Sequence, residues 1–378
     1  MKPRREAPVR RLADEPRCRV RHRLFRQALA CCALALAGIA VPAADAEPPA
    51  PIRRSEYLAV DGADLYIETR GADRSAPVLL WLHGGPGGAE RPLFRYFNGA
   101  LEKDFVVAYW DQRGAGRSYD PAADPRDLTV ARHLADLGAV AAHLRRTSNG
   151  RKLVLAGHSW GAALGLLYAR EHPEDVSAVV AVNPMIAPRA EQQAQYAFVA
   201  AEAARRRDED ALARLRAIGA PPHRTADDVL AMEALADRYG AVFHTRPPRM
   251  WVLVRGVLGG LVTPWEIPRF IRANEASLEA MGAELLELDL RRSVPAVDAP
   301  VVFFLGRHDR HVEATLAAAY LEALRAPVRR LVWFEDSAHN VPFEEPARFN
   351  AEVVRVLESV GIRGGSPAAH DQMKPLNR

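Results

Sequence analysis

Lys152-Leu153-Val154-Leu155-Ala156-Gly157-His158-Ser159-Trp160-Gly161 is the stretch whose reading decides the fold. Residues 152–156 are a short apolar run of the kind that forms a buried parallel strand. Residues 162–170 read as a helix. Between them, Gly157-His158-Ser159-Trp160-Gly161 fits G-x-S-x-G, the sharp strand-to-helix turn that raises a serine hydroxyl as a nucleophile. The turn is so tight that only small residues fit two positions either side of the serine. It sets Ser159 at the end of the sheet and at the positive end of the next helix. The plainer alternative is a glycine-rich turn with an incidental serine, and the flanking strand and helix argue against it.

A serine nucleophile needs a base, and the base needs a carboxylate to hold its tautomer. Residues 300–306 form an apolar strand, with Asp309 in the loop after it. Residues 331–335 form the next strand, with His339 in the loop beyond. Both fall at carboxyl ends of strands, on the sheet edge that carries Ser159. The chain order of serine, acid and histidine is the one expected with this elbow. His308 and His311 flank Asp309, but a histidine in the acid loop is poorly placed to face the elbow. Asp336 precedes His339 and reads as loop surface. Residues 78–82 are another strand, followed by His83-Gly84-Gly85-Pro86-Gly87. Its glycines let backbone N–H groups approach a developing oxyanion. Gly85 is the first choice of donor and Gly84 the second, with the Trp160 N–H as the other half of the hole.

These motifs, together with Asp111-Gln112-Arg113-Gly114-Ala115-Gly116-Arg117-Ser118, closely resemble the proline iminopeptidase family of α/β-hydrolases. The similarity runs from about residue 57 to 357. It implies a serine peptidase that removes an N-terminal residue, preferably proline or another small one, from short peptides, with no cofactor. The family holds the substrate's free amine against carboxylates on a helical cap. Its W-x-x-W-E stretch is missing here, since residues 195–202 contain no tryptophan. Glu202 and Glu233 are the candidates for the amine site. The departure leaves serine hydrolase chemistry intact. It also keeps open a carboxylesterase or lactonase for small acyl esters and, remotely, a non-catalytic binding protein on a hydrolase scaffold.

The N-terminus reads as a secretory signal over residues 1–46: an arginine-rich start, an apolar stretch over 28–41 and Ala44-Asp45-Ala46 as the cleavage site. The apolar stretch is shorter than the roughly 20 residues a spanning helix needs, so no stable membrane anchor is expected. The expectation is an exported, periplasmic or secreted protein. The whole chain carries +4, whereas residues 1–46 hold ten Lys/Arg against four Asp/Glu, a net of +6. The remainder is therefore about −2, which gives no ground for a nucleic-acid partner. Cys18, Cys31 and Cys32 all leave with the signal, so the mature chain must rely on its core without disulfides.

Strands alternate with helices from residue 47 to 184, stop, and resume at 295–363. This argues for a mostly parallel, doubly wound sheet, the α/β-hydrolase fold, with a helical cap inserted over 185–294. Residues 47–53 read as a linker and 364–378 as a disordered tail. No metal-ligand cluster stands out.

Overall fold

The computed structural model describes residues 51–244, 254–255 and 262–364. The expected signal (1–46), nearly all of the expected tail, and parts of the insertion lie outside them. Eight strands form one sheet in the order β1-β2-β4-β3-β5-β6-β7-β8. They are β1 (Ile52–Val60), β2 (Ala63–Gly71), β3 (Val78–Leu82), β4 (Val106–Trp110), β5 (Leu153–His158), β6 (Val176–Val182), β7 (Val301–Gly306) and β8 (Arg329–Phe334). β2 pairs antiparallel with β1 and β4, and every other pairing is parallel. Ile52 and Arg53, expected in the linker, already pair with Gly71 and Arg70.

The helices in chain order are α1 (Arg91–Asn98), α2 (Val130–Thr147), α3 (Trp160–Glu171), α4 (Pro188–Arg206), α5 (Glu209–Ile218), α6 (Ala226–Arg238), α7 (Ile267–Leu285), α8 (Leu290–Ser293), α9 (Ala314–Ala323), α10 (Val341–Glu344) and α11 (Pro346–Ser359). The central strands are apolar on both faces because helices cover both. The period of two divides them cleanly. Leu80, Leu82, Leu155 and Phe303 pack with Leu137 and Val140 of α2 and Leu164 of α3. Leu79, Trp81, Val154 and Phe304 pack on the other face with Phe94 of α1 and Phe349 and Val353 of α11.

Helices α4 to α8 lie between β6 and β7. Val199, Ala203, Leu215, Met232 and Leu235 form a separate small core that joins α4, α5 and α6. Side-chain caps start two of them: Asp208 accepts from the Ala211 N–H of α5, and Thr225 from the Asp228 N–H of α6.

From β3 the chain goes to β4 on one side, then crosses to β5 on the other. The strand order therefore reverses between β3 and β5. A parallel sheet opens a crevice at such a point, outside the carboxyl ends of the strands. The turns after β3 and β5 carry Gly84-Gly85 and Ser159.

Candidate active site

Ser159 sits between β5 and α3 at φ 54° and ψ −117°, a region that costs a non-glycine residue about 1–3 kcal/mol. The turn is over-determined by its neighbours. A Cβ on Gly157 would meet the Gly161 carbonyl oxygen at 2.5 Å, and one on Gly161 would meet the Leu82 oxygen at 2.1 Å. Both small-residue positions of the motif are thus steric requirements. The Ser159 N–H donates to Val182 O (2.9 Å), and its carbonyl accepts from Ala162, Ala163 and Met185. Trp160 opens α3, so its N–H has no acceptor within the helix.

Asp309 and His339 meet across the ends of β7 and β8. His339 Nδ1 lies 2.9 Å from Asp309 Oδ2, and Asp309 Oδ1 accepts the N–H groups of His311 (2.8 Å) and Val312 (3.2 Å). Asp309 is fully buried. Burial pushes its carboxyl up to about 6, against those bonds and the neighbouring His311. Burial also holds His339 well below the usual histidine range, and the charge of His158 adds to this. At neutral pH the pair is therefore a carboxylate and a neutral imidazole whose Nδ1–H it orients. The two loops approach closely because Gly306 has no side chain, and a Cβ there would overlap Ala338 O. Asn183, just after β6, ties them together: its amide nitrogen donates to His339 O (2.7 Å) and Ala338 O (3.0 Å), and its oxygen accepts the Gly306 N–H (2.9 Å).

His158, the variable residue before the serine, joins this group. One ring nitrogen faces Glu90 Oε1 (2.6 Å) and the other donates to His339 O (2.9 Å). Both nitrogens point at acceptors, which calls for the doubly protonated ring. Burial alone would lower its pKa, but the Glu90 charge and hydrogen bond outweigh it and raise it. Glu90 also faces the Gly84 backbone, which helps keep the carboxyl ionised against its burial.

The turn after β3 is held by Gln112. Its backbone N–H donates to His83 Nε2 (3.0 Å), its side-chain amide donates to His83 O (2.9 Å), and its oxygen accepts the Trp160 indole N–H (3.0 Å). One buried amide therefore links the glycine turn to the residue after Ser159. His83 Nε2 accepts, so its Nδ1–H donates to Gly84 O (2.8 Å). The rest of that segment is scaffold. Asp111 takes Arg91 Nε (3.1 Å) and the Arg117 N–H (2.9 Å), and Arg113 grips Asp136 with two bonds.

A cavity of about 710 Å³ opens onto these groups, lined by Gly84, Gly85, Ser159 and His339 and roofed by α4, α6 and α7. Glu90, Glu191 and Glu233 line it, and no lysine or arginine does so among the described residues. Glu191 Oε1 accepts the N–H groups of Ile186 (2.6 Å) and Ala187 (3.0 Å). Burial nevertheless raises its carboxyl to about 8. Gln195, one turn further along α4, places its amide 2.9 Å from His311 Nδ1.

The model of the alpha/beta hydrolase fold family matches residues 77–346. This chain belongs to that family. The hydrolase is 30% identical over 294 residues to the Bacillus subtilis (strain 168) protein named probable aminopeptidase YbaC, a match spanning 77% of this chain and 92% of that one. It is 40% identical over 125 residues to a probable proline iminopeptidase of Streptomyces coelicolor, 32% of this chain and 36% of that one. Among solved structures, the proline iminopeptidase of Mycobacterium smegmatis superposes with a TM-score of 0.61 at 20% identity, over 81% of this chain and 98% of that one. That last likeness is one of fold.

The hydrolase brings Ser159, His339, Gly84 and Gly85 to one cavity wall with Asp309 behind His339. Glu233 faces the cavity, but Glu202 does not. It pairs with Arg205 and Arg206 at the far end of α4, where the Arg205 bond lowers its pKa. Glu191, which the resemblance did not single out, is the glutamate of α4 that reaches the cavity. His311, expected to face away, also lines the cavity and stands edge-on to His339 at 4.5 Å. His308 instead stacks on His244, and Asp336 is exposed. His172, Glu174 and Asp175 cluster closely enough to suit a metal, but Asp175 is already engaged by Arg145 and Tyr168. No helix among the described residues is long and apolar enough to cross a membrane.

Glu191 carries a pH prediction. Its folded value of about 8 lies above the ordinary 4.5, so between those values the folded chain keeps a proton that the unfolded chain has released. Stability contributed by this group is complete below pH 4.5 and is lost as pH rises through 8, at up to about 1.4 kcal/mol per pH unit. Glu191→Gln keeps the acceptor oxygen and removes the titration. Denaturant midpoints should favour the variant progressively from pH 5 to pH 8. Parallel curves would show that Glu191 is ionised throughout.

Proposed function

We propose that this hydrolase is a serine aminopeptidase acting on short peptides, with Ser159 as nucleophile, His339 as base and Asp309 as the acid that orients it. The observation that carries the reading is the Asp309–His339 hydrogen bond behind a cavity that holds Ser159, three glutamates and, among the described residues, no lysine or arginine. His339 takes the Ser159 proton as Oγ attacks the carbonyl carbon. The N–H groups of Gly85 and Trp160 hold the oxyanion; Gly84 is the lesser candidate because its backbone faces Glu90. His339 then protonates the departing amine, leaving an acyl-serine. Water repeats the sequence and releases the N-terminal residue. Glu233 receives the substrate's ammonium, while Glu191, held protonated near neutrality, serves as a neutral partner. On the pattern of residues 1–46, the enzyme is exported. Likeness to the aminopeptidase named above supports the substrate class.

Aminoacyl naphthylamides compared with p-nitrophenyl acetate test the reading. Glu233→Gln leaves an ammonium in the cavity without its partner, which costs about 2 kcal/mol or more. The kcat/KM for free-amine substrates should fall by roughly thirtyfold or more. Acetate ester hydrolysis, which involves no amine, should hold at the wild-type rate. N-acetylated aminoacyl substrates cleaved as fast as free ones would instead favour an esterase.

A further inference from the structure

We infer that the N-terminal residue released by this hydrolase carries a large apolar side chain, of leucine or phenylalanine size, seated between α6 and α7. The inference rests on the aminopeptidase reading and concerns the same cavity.

Two helices supply the geometry. On α7, Asn274 donates from its side-chain amide to Pro86 O (2.8 Å), which fixes the middle of that helix against the glycine turn after β3. Phe270, Ile271 and Leu278 lie three or four residues from Asn274, on the same helical face, and all line the cavity. Each therefore sits about one turn, roughly 5.4 Å, along the axis from that contact. On α6, Val229, Met232 and Glu233 line the cavity together, with Val229 and Glu233 one above the other at i, i+4. Glu279 of α7 accepts the Ala226 N–H at the start of α6 (3.0 Å), which joins the two helices.

The amine and the side chain of an N-terminal residue branch from one carbon. An ammonium at Glu233 therefore sets the side chain beside Val229 and Met232, facing the apolar row of α7. Proline offers this space only three ring methylenes folded back onto its own nitrogen. Ile271 lines the cavity yet is 54% exposed, so the apolar wall reaches the surface and a long side chain has a path along it.

The test uses the full chain and the kcat/KM for Pro, Ala, Leu and Phe β-naphthylamides, with p-nitrophenyl acetate as the amine-free control. Burial of each added methylene is worth about fourfold, so Leu should exceed Ala by roughly 60-fold. Phe should rank with Leu, and Pro should rank with Ala. Phe270→Ala and, separately, Leu278→Ala should each shrink the Leu/Ala ratio by about fivefold or more, as buried contact is lost. The unmodified enzyme's series decides the matter even where a variant folds poorly. A flat series, or Pro as the best substrate, overturns the inference and leaves the aminopeptidase reading standing. Ester turnover with no cleavage of any free-amine substrate overturns that reading as well.

Discussion

Ser159→Ala should lower kcat by about a millionfold, as loss of the serine does in other triads that act as a unit. The variant should still fold. The structural tasks of this residue belong to its backbone, which donates to Val182 and accepts from Ala162, Ala163 and Met185. Alanine keeps those bonds and meets the same positive φ. What disappears is the hydroxyl on the cavity wall. Circular dichroism should match the unmodified enzyme while turnover of every substrate class is lost together, amide and ester alike. Loss of amide cleavage alone would point to a second nucleophile for esters.

Asp309→Asn should cost about 10⁴ in kcat, the size of the effect in the analogous serine protease triad. The reason lies in the tautomer. The Asp309 carboxylate accepts from His339 Nδ1 at 2.9 Å, which leaves Nε2 free to take the serine proton. An asparagine amide turned to the same nitrogen donates instead, and moves the ring proton to Nε2. Asp309 Oδ1 also accepts two backbone N–H groups, a task that the asparagine oxygen can retain, so the loop should hold its shape. The same carboxyl, raised to about 6, predicts that kcat/KM of the unmodified enzyme declines as pH falls through 6 and Asp309 takes up a proton. A nearly silent Asp309→Asn would place the acid elsewhere, although Asp336 and Asp298 are both exposed.

The parts of this arrangement legible in the sequence are those encoded by local pattern. Gly157 and Gly161 announce the elbow because the turn leaves no room for a Cβ, and apolar runs at 78–82, 152–156 and 300–306 announce strands covered on both faces. Asp309 and His339 could be read because each follows such a strand. The groups that hold the site together were not legible, because their partners lie far away along the chain. Gln112 reaches back to His83 and forward to Trp160, and Asn183 reaches Ala338 and His339. Glu90 pairs with His158 only once β3 and β5 lie side by side. Within the insertion, the family resemblance pointed to Glu202 and Glu233 and passed over Glu191. Tertiary packing turned Glu191 inward and left Glu202 to its arginines.

The central claim is that one serine, on the elbow, performs the chemistry. Its most direct test is to label the active enzyme with a fluorophosphonate, digest it with trypsin and locate the adduct by mass spectrometry. The account predicts a single modified peptide, residues 153–170, with the phosphonate on Ser159, and loss of activity in proportion to labelling. A label on any other serine that tracks with inactivation, or full activity after complete labelling of Ser159, would contradict it.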